Sequence, residues 1–361
     1  MKKVLCFHPA IAPYRIDFFN AMAKRFDLHL VLLSKNLLNQ KFDQEKLVAK
    51  LKCRVSYLLS GVVIGGRHIK YGFGRFIKAE KPDIVLGFEF GWTVLAVWAY
   101  RTFTRGTFKV YTMTDDNEEQ LRACRGLRKL LRNWVLRHID GVIVTNESSK
   151  KYLLEMAPKL DIGAVPIIYD NATIRENDEA VFEAAKKWRE ENLKGGEIAA
   201  FFIGRLAEVK NLEWLIDRVE EDRWPEKVKL FIIGDGPLKE SLEKRLNGSE
   251  RLGSRMTLLG RKEGFALQTF FAAEDFLILP SLSETFGAVV SESLHWGARC
   301  LVSSHVGAKD LVRDVSGGEV FNGVDDFFEN LNRLLSCEWN ENRPSLIEMG
   351  VSQHMERLNF R

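Results

Sequence analysis

The feature that most constrains the fold is an alternation of short apolar runs with longer helical segments, which occurs twice along the chain. In the first half, the apolar runs predict six strands, at Val4–Phe7, Leu28–Leu33, Arg54–Leu59, Asp83–Gly87, Phe108–Thr112 and Gly141–Thr145. In the second half, they predict five more, at Ala199–Ile203, Val228–Ile233, Met256–Leu259, Asp275–Leu279 and Arg299–Ser303. Because parallel strands covered by helices on both faces are apolar throughout, the pattern predicts two doubly wound, Rossmann-like α/β domains.

The length of 361 residues is enough for two domains, each with its own core. We predict an N-terminal domain at residues 1–170, a linker region at 171–196 and a C-terminal domain at 197–340. The linker prediction rests on the polar, turn-rich sequence between Ile167 and Gly196. With two such domains facing across a cleft, ligands are expected at the carboxyl ends of the strands.

Composition excludes several other classes of protein. Charged residues make up 28% and apolar residues 46%, which argues against a disordered or coiled-coil chain. Five cysteines are scattered without a CxxC pair, so neither a disulfide framework nor a zinc site is indicated. The chain starts with a short strand-like run rather than a signal peptide, and no apolar run is long enough to span a bilayer. We therefore expect a cytoplasmic protein.

Charge is distributed unevenly. Residues 1–180 contain 29 Lys and Arg against 19 Asp and Glu, whereas residues 181–361 contain 24 against 30. A basic half next to an acidic half predicts that the first domain faces something anionic, such as a phospholipid surface, a phosphorylated acceptor or nucleic acid.

The second half carries polar motifs at the ends of its predicted strands. Arg205 and Lys210 follow the first strand, and such a pair of cations can bind a diphosphate, although an isolated pair of this kind is more often only solvated. Gly234 and Gly236 follow the second strand. They either allow the backbone to approach a ligand closely or simply form an ordinary turn. Arg261 follows the third strand, directly after a glycine.

The most informative motif follows the fourth strand, where Glu284 and Glu292 are separated by eight residues. Thr285 is predicted to cap the next helix, which leaves the backbone amides of Phe286, Gly287 and the next residue free to bind an anion. Eight residues of helix span roughly 12 Å, which is about the length of a nucleotide sugar from the sugar to the ribose. Carboxylates at both ends would accept hydrogen bonds from hydroxyl groups. The alternative is a cap-region acid and a solvated acid without a ligand.

Taken together and in this order, these motifs resemble glycosyltransferase family 4, whose members are retaining, nucleotide-sugar-dependent enzymes of the GT-B architecture. The strong match covers about Ala199 to Val312, including Gly307–Val312, and the first half matches only in outline. The resemblance implies an α/β fold with two Rossmann-like domains. It also implies that residues 341–361 cross back to the N-terminal domain.

The resemblance also implies a role for each motif residue. In the donor site, Arg205 and Lys210 would hold the diphosphate, while Glu284 would hold the sugar and Glu292 the ribose. The backbone amides of Phe286 and Gly287 would meet the sugar and phosphate. The nucleotide would be bordered by Gly234, Gly236 and Arg261.

The implied reaction moves a sugar from a UDP- or GDP-sugar to a glycan or lipid-linked saccharide, as in the synthesis of cell-surface polysaccharides. Charge builds on the departing diphosphate, so Arg205 and Lys210 would stabilise the transition state more than the ground state. We therefore expect no metal and no cofactor other than the donor itself. Asp115-Asp116-Asn117 differs from the DxD pattern of metal-dependent transferases.

The N-terminal domain is expected to bind the acceptor, and Asp115 is the candidate that orients the acceptor or the sugar, with helix capping as an equal alternative. The glycine-rich loop that relatives often have after the first strand is missing, and Arg15 is a candidate substitute for its phosphate contact. His8 and Glu89 follow predicted strands; His8 is more often a core or loop histidine, and Glu89 is left undecided.

The stretch Leu121–Arg137 is basic and amphipathic. It predicts either an ordinary helix packed on the sheet or a peripheral contact with the anionic inner face of the cytoplasmic membrane.

Three other functions remain open from the sequence. A sugar-nucleotide epimerase of the same fold would use the donor site without an acceptor, and a non-catalytic protein would only bind the nucleotide sugar. Nucleic-acid binding is suggested only by the basic first half. The aromatic residues form no evident stacking platform for bases and the acidic second half argues against it, so we expect no nucleic-acid partner.

Overall fold

The computed structural model describes residues 1–36, 42–64, 67–336 and 343–360 and divides the chain into two compact units. Unit 1 comprises Met1–Asp170 together with Met349–Arg361, and unit 2 comprises Asn171–Glu348. Cys337 and residues 341, 342 and 361 of the predicted segment 341–361 lie outside the described residues. The four described cysteines are free thiols.

Unit 1 is built on a parallel sheet with seven strands in the described part of the chain, in the order β3-β2-β1-β6-β7-β8-β9. Its strands are β1 (Lys3–His8), β2 (Asp27–Leu32), β3 (Arg54–Tyr57), β6 (Ile84–Phe88), β7 (Lys109–Met113), β8 (Gly141–Val144) and β9 (Asp161–Ala164), and β4 (Gly61–Ile64) pairs with β5 (Arg67–Lys70) as a separate hairpin. Its helices are α1 (Ile16–Arg25), α2 (Gln44–Ala49), α3 (Phe73–Glu80), α4 (Trp92–Thr104), α5 (Glu118–Ala123), α6 (Gly126–Leu136) and α7 (Glu147–Met156).

Unit 2 repeats this design with six parallel strands among the described residues, in the order β12-β11-β10-β13-β14-β15. Its strands are β10 (Ile198–Ile203), β11 (Val228–Ile233), β12 (Met256–Gly260), β13 (Phe276–Leu279), β14 (Arg299–Ser303) and β15 (Gly318–Phe321). Its helices are α8 (Asn171–Ile174), α9 (Asp178–Asn192), α10 (Leu212–Glu220), α11 (Lys239–Asn247), α12 (Glu250–Arg255), α13 (Gly264–Ala273), α14 (Ala288–His295), α15 (Lys309–Asp314) and α16 (Val324–Leu335).

The central strands are buried on both faces, which is why the sequence pattern located them. All six residues of β10 are buried, and in β1 only the first residue is exposed. The prediction of two doubly wound α/β units is confirmed. None of the described helices is both long and apolar enough to cross a bilayer.

The last described residues pack on unit 1 through α17 (Val351–Glu356). Ser352 donates to the carboxylate of Asp170 at 2.5 Å and accepts from Lys24 of α1 at 3.0 Å. Phe360 packs edge-on against Phe26, with ring centroids 5.2 Å apart. The chain therefore enters unit 2 after Asp170 and returns to unit 1 at Met349.

One helix prediction needs correction. The basic stretch predicted as a single helix, Leu121–Arg137, is split between α5 and α6 at Cys124 and Arg125, which are both extended. Gly126 follows with a φ of +59°, a conformation that glycine adopts readily and other residues rarely do. The amphipathic spacing continues across this break, so the periodicity alone does not reveal it.

Candidate functional site

The motifs of unit 2 lie at the point where its strand order reverses. β10 pairs with β13 at the centre of the sheet, and the connections leave these two strands in opposite directions. Arg205 and Lys210 follow β10, and Glu284 follows β13. In open α/β sheets, ligands bind outside the carboxyl ends of the strands at such a reversal.

Lys210 and Glu284 form an ion pair, and each side chain is only 17% exposed. Lys210 closes a 3₁₀ turn, Glu208–Lys210, in which its amide donates to Ala207 at 2.9 Å. The amide of Leu282 donates to the carbonyl of Val209 at 2.9 Å, so the loops after β10 and β13 are joined by backbone as well as by charge. The ammonium group is thus fixed at the ends of both central strands.

Arg205 is in the opposite situation. It is exposed, and among the described residues its guanidinium makes no hydrogen bond or ion pair. A bidentate donor that no neighbouring side chain engages is available to bind a ligand such as a phosphate.

Gly234 and Gly236 hold the loop that carries Arg205. A Cβ at Gly234 would lie 1.9 Å from the carbonyl oxygen of Gly204, and one at Gly236 would lie 2.5 Å from that of Leu206. The amide of Leu206 donates to the carbonyl of Asp235 at 2.9 Å. The two glycines are therefore required for close packing of two backbone segments, which fixes the position of Arg205.

The prediction that Thr285 caps the helix after Glu284 is wrong. Helix α14 begins at Ala288, its N-cap is Gly287 with a φ of +92°, and no side chain caps it. The reason is a tertiary contact: Glu284 pairs with Val306 in an isolated parallel bridge, and the amide of Ala308 donates to the carbonyl of Phe286 at 2.7 Å. Residues 285–287 therefore lie outside the helix, which begins two residues later than a cap at Thr285 would give.

This shift changes which backbone amides stand at the start of the helix, where an anion could bind. Phe286 lies outside the helix with its side chain buried, and Gly287 forms the turn. The amides at the start of α14 are those of Ala288 and Val289, because Val290 already donates to the carbonyl of Gly287 at 2.9 Å.

The two other donor-site candidates lie on separate elements. Glu292 is half-buried on α14, and Arg261 follows β12 and is exposed. Arg261 forms an ion pair with Glu263, with 2.9 Å from Nε to Oε1. Among the described residues, no group of three or more His, Cys, Asp or Glu side chains is arranged to hold a metal ion.

Unit 1 has a second polar cluster at its own strand reversal, after β1, β6 and β7. Asp115 is paired with Arg15, whose side chain is buried. These two candidates, 100 residues apart in the sequence, therefore neutralise each other. His8 packs edge-on against Phe19 and Phe88, and burial lowers its pKa to about 3, so its imidazole is neutral.

Glu89 is the main residue that the sequence left undecided. It has a left-handed backbone with φ of +59°, which Thr112 supports by donating to its carbonyl at 2.6 Å. Thr114 donates to its carboxyl group at 3.0 Å. Burial, followed by repulsion from the nearby acids after β7, raises the pKa of Glu89 to about 8, so this carboxyl is protonated at neutral pH.

A cavity of about 450 Å³ opens next to Glu89 within unit 1. Its lining comes from the ends of β6 and β7 and from α6: Glu89, Phe90, Gly91, Asp116, Cys124, Leu127, Arg128, Leu131 and Arg132. The position of Glu89 directly after a buried strand was the sequence signal for this cavity. The contribution of α6 could not be read from the sequence.

Comparisons with known proteins give a family match in unit 2. Residues 197–337 match the family model described as Glycosyl transferases group 1. The chain is 25% identical over 269 residues to the alpha-monoglucosyldiacylglycerol synthase of Streptococcus pneumoniae, a match that covers 71% of this chain and 60% of that protein. Matches to two other relatives cover 26% and 35% of their lengths, so the chain spans less than two thirds of each of these three proteins.

Solved structures match over nearly the whole chain. The lipopolysaccharide outer core galactosyltransferase WaaB superposes with a TM-score of 0.68 at 16% identity, covering 99% of this chain and 95% of that one. HepE of Anabaena, solved in complex with UDP, superposes with a TM-score of 0.67 at 13% identity, covering 100% and 96%. At this level of identity the likeness shows the fold alone, which is that of the GT-B class.

Proposed function

From the match of residues 197–337 to the Glycosyl transferases group 1 family model, we propose that the chain is a member of this family and that it moves a sugar from a nucleoside-diphosphate sugar to a hydroxyl group of a glycan or lipid-linked acceptor, with retention of configuration. The observation that carries this proposal is the pairing of Lys210 with Glu284 at the strand reversal of unit 2, on the same loop as Arg205, whose guanidinium pairs with none of the described side chains.

We propose that the donor diphosphate takes the place of Glu284 as the partner of Lys210. The ammonium group would then bind a phosphate oxygen, and Arg205 would add a bidentate contact. The carboxylate of Glu284 would then accept hydrogen bonds from the sugar. Phe286, Gly287 and the amides at the start of α14 would border the sugar and phosphate, Glu292 the ribose, and Gly234, Gly236 and Arg261 the nucleotide.

In the reaction, the bond between the anomeric carbon and the diphosphate oxygen breaks, and the electron pair leaves with the nucleoside diphosphate. The acceptor oxygen forms the new bond on the same face, and its proton passes to the departing phosphate. Negative charge grows on the leaving group, so fixed cations stabilise the transition state more than the bound donor. This scheme uses no metal ion, and we expect activity in EDTA.

A uridine donor is supported by the UDP complex of the structurally similar HepE, and a guanosine donor is the alternative. For the acceptor, Asp115 would act as part of its ion pair with Arg15, orienting a hydroxyl group. The glucosyldiacylglycerol named for the Streptococcus pneumoniae relative supports a lipid-linked acceptor.

The reaction type is tested by product analysis. The protein is incubated in EDTA with labelled UDP- or GDP-hexoses, with and without a detergent-solubilised mixture of diacylglycerol and glycolipids. Label in the lipid fraction that appears only with acceptor supports the transferase. An isomerised sugar nucleotide formed from donor alone would show an epimerase, and bound but unchanged donor would show a binding protein.

We also propose that α6 brings unit 1 to an anionic membrane. Leu127 and Leu130 are 84% and 65% exposed, and the cations Arg125, Arg128 and Lys129 surround them in the sequence. Exposed leucines among cations are typical of helices that lie on a lipid surface.

Flotation with vesicles tests this contact. We expect the wild-type protein to float with vesicles that contain phosphatidylglycerol and not with purely zwitterionic vesicles. The double variant Leu127→Ser with Leu130→Ser should lose most of this binding, whereas Phe265→Ser, which changes an exposed apolar residue in unit 2, should keep it. Equal flotation of all three proteins, or flotation independent of lipid charge, would refute the membrane contact.

A further inference from the structure

The cavity in unit 1 contains a buried cation whose hydrogen bonds are incomplete. Arg132 is 2% exposed and lines the cavity. One of its nitrogens donates to the carbonyl of Leu121, but its Nε and one Nη have no hydrogen-bond partner among the described residues. A buried guanidinium with donors left over is costly unless a ligand or water completes its hydrogen bonds.

A second cation faces the same space. Arg128 lies one helical turn before Arg132 on α6, so both side chains are on one face of the helix, and both line the cavity. Its guanidinium is 3.5 Å from the carboxylate of Asp116. Arg128 is exposed at the rim, whereas Arg132 lies below it.

The charges in the cavity favour an anion. The acids among the lining residues are Glu89 and Asp116. Burial keeps the pKa of Glu89 near 8 and also raises the pKa of Asp116. At neutral pH, two guanidinium groups therefore face at most one charged carboxylate. An anionic ligand would neutralise the remaining positive charge.

The remaining walls define the size and chemistry of the ligand. Phe90, Leu127 and Leu131 supply apolar surface, and the neutral carboxyl of Glu89 can both donate and accept a hydrogen bond. A volume of about 450 Å³ is within the range of small-ligand sites. A ligand that fits would carry an anion, at least one hydroxyl group and a compact carbon skeleton.

We propose that this cavity binds the acceptor and that the acceptor is a hydroxyl-bearing phosphate ester. Its phosphate lies against Arg132 and Arg128, and its hydroxyl group lies against Glu89. The identification as acceptor rests on the proposed transferase function; the phosphate-ester site rests on the cavity alone. The ester is either a soluble sugar phosphate or the headgroup of a phospholipid.

Titration calorimetry on the full chain separates these sources. The probes are glucose 6-phosphate, glucose as the analogue without phosphate, and phosphatidylglycerol in detergent micelles with a zwitterionic lipid as its control. Binding of glucose 6-phosphate but not of glucose assigns a soluble ester, and binding of phosphatidylglycerol alone assigns a lipid headgroup. If no phosphate-bearing probe binds more tightly than its control, the proposal is overturned.

Variants locate the binding. We expect Arg132→Met to weaken binding of the phosphate ester about tenfold or more, because a charge-assisted bond in a buried site is lost. Arg128→Met, at the exposed rim, should weaken it less, and Lys151→Met, which changes an exposed cation of α7 outside the cavity lining, should leave it unchanged. Unchanged affinity in both Arg132→Met and Arg128→Met would contradict the site.

Two further measurements separate ligand binding by Arg132 from a purely structural role and from the donor site of unit 2. A merely structural Arg132 would lower the melting temperature when replaced, whereas a ligand-binding Arg132 with unmet donors should leave the melting temperature unchanged or higher. UDP titrated into the same variants should bind as to wild type, since that site lies in unit 2. If the wild-type protein does not bind UDP, this result counts against the proposed transferase function and not against the phosphate-ester site in the cavity.

Discussion

Replacing Lys210 with alanine is expected to lower kcat about a thousandfold, because the variant lacks a fixed cation where the leaving diphosphate gains charge. Arg205→Ala should lower kcat by about a hundredfold or more for the same reason. The loss should exceed any change in KM, since charge on the bridging oxygen is greatest in the transition state.

The structure makes Lys210 the more sensitive of the two. Its ammonium group is held at the strand reversal by Glu284, and the backbone bond from Leu282 to Val209 fixes the loop around it. Removing Lys210 also takes away the cation that is paired with Glu284, so less positive charge would face the donor phosphate near this carboxylate. Arg205 is exposed and adapts to the ligand, so water can replace part of its contact.

Steady-state kinetics with saturating acceptor measure both effects. Lys244→Ala, which changes an exposed lysine on α11, is the matched control and should keep the wild-type rate. Wild-type kcat in both Lys210→Ala and Arg205→Ala would remove the proposed role of these cations in leaving-group departure.

Replacing Gly234 with alanine is expected to cost about 2–3 kcal/mol of unfolding free energy, the range for overpacking a close contact, and to weaken donor binding as well. The added Cβ would lie 1.9 Å from the carbonyl oxygen of Gly204, and that atom is backbone, which has little freedom to move aside. The loop must shift, and Arg205 would shift with it.

Gly253→Ala is the control for this prediction. Gly253 lies on α12, and a Cβ there would meet nothing within 4 Å, so alanine should raise stability by up to about 1 kcal/mol through its higher helix propensity. Urea unfolding compares the two variants. If Gly234→Ala were as stable as Gly253→Ala and bound UDP normally, the close packing of these loops would not position the donor site.

The sequence revealed the buried central strands and also two edge strands, β3 and β12, which are only partly buried. β9 and β15 were missed, and both lie at an edge of their sheet, where only part of each strand is covered. β9 also contains Asp161, which accepts a hydrogen bond from the hydroxyl of Tyr111 at 2.7 Å, and β15 contains the half-buried Glu319. Short strands with a charged residue lack the continuous apolar run that marks central strands.

The sequence supplied the candidate site residues, but it did not predict how they pair. Lys210 and Glu284 are separated by 74 residues and Arg15 and Asp115 by 100, and no local pattern predicts which charges meet. Thr285 was predicted as a cap from local preference, and the contacts with residues 305–308 override it. The cavity that Arg132 lines includes Cys124 at the break between α5 and α6, and only Gly126 signals this break in the sequence.

The central claim is that unit 2 binds an activated sugar through its diphosphate. The most direct measurement is calorimetric titration of the full chain with UDP-, GDP- and ADP-sugars in EDTA. We predict saturable binding of at least one of them at one site per chain, with affinity reduced at least tenfold in Lys210→Ala. No heat of binding from any of these nucleotide sugars, with a correctly folded protein, would contradict the account.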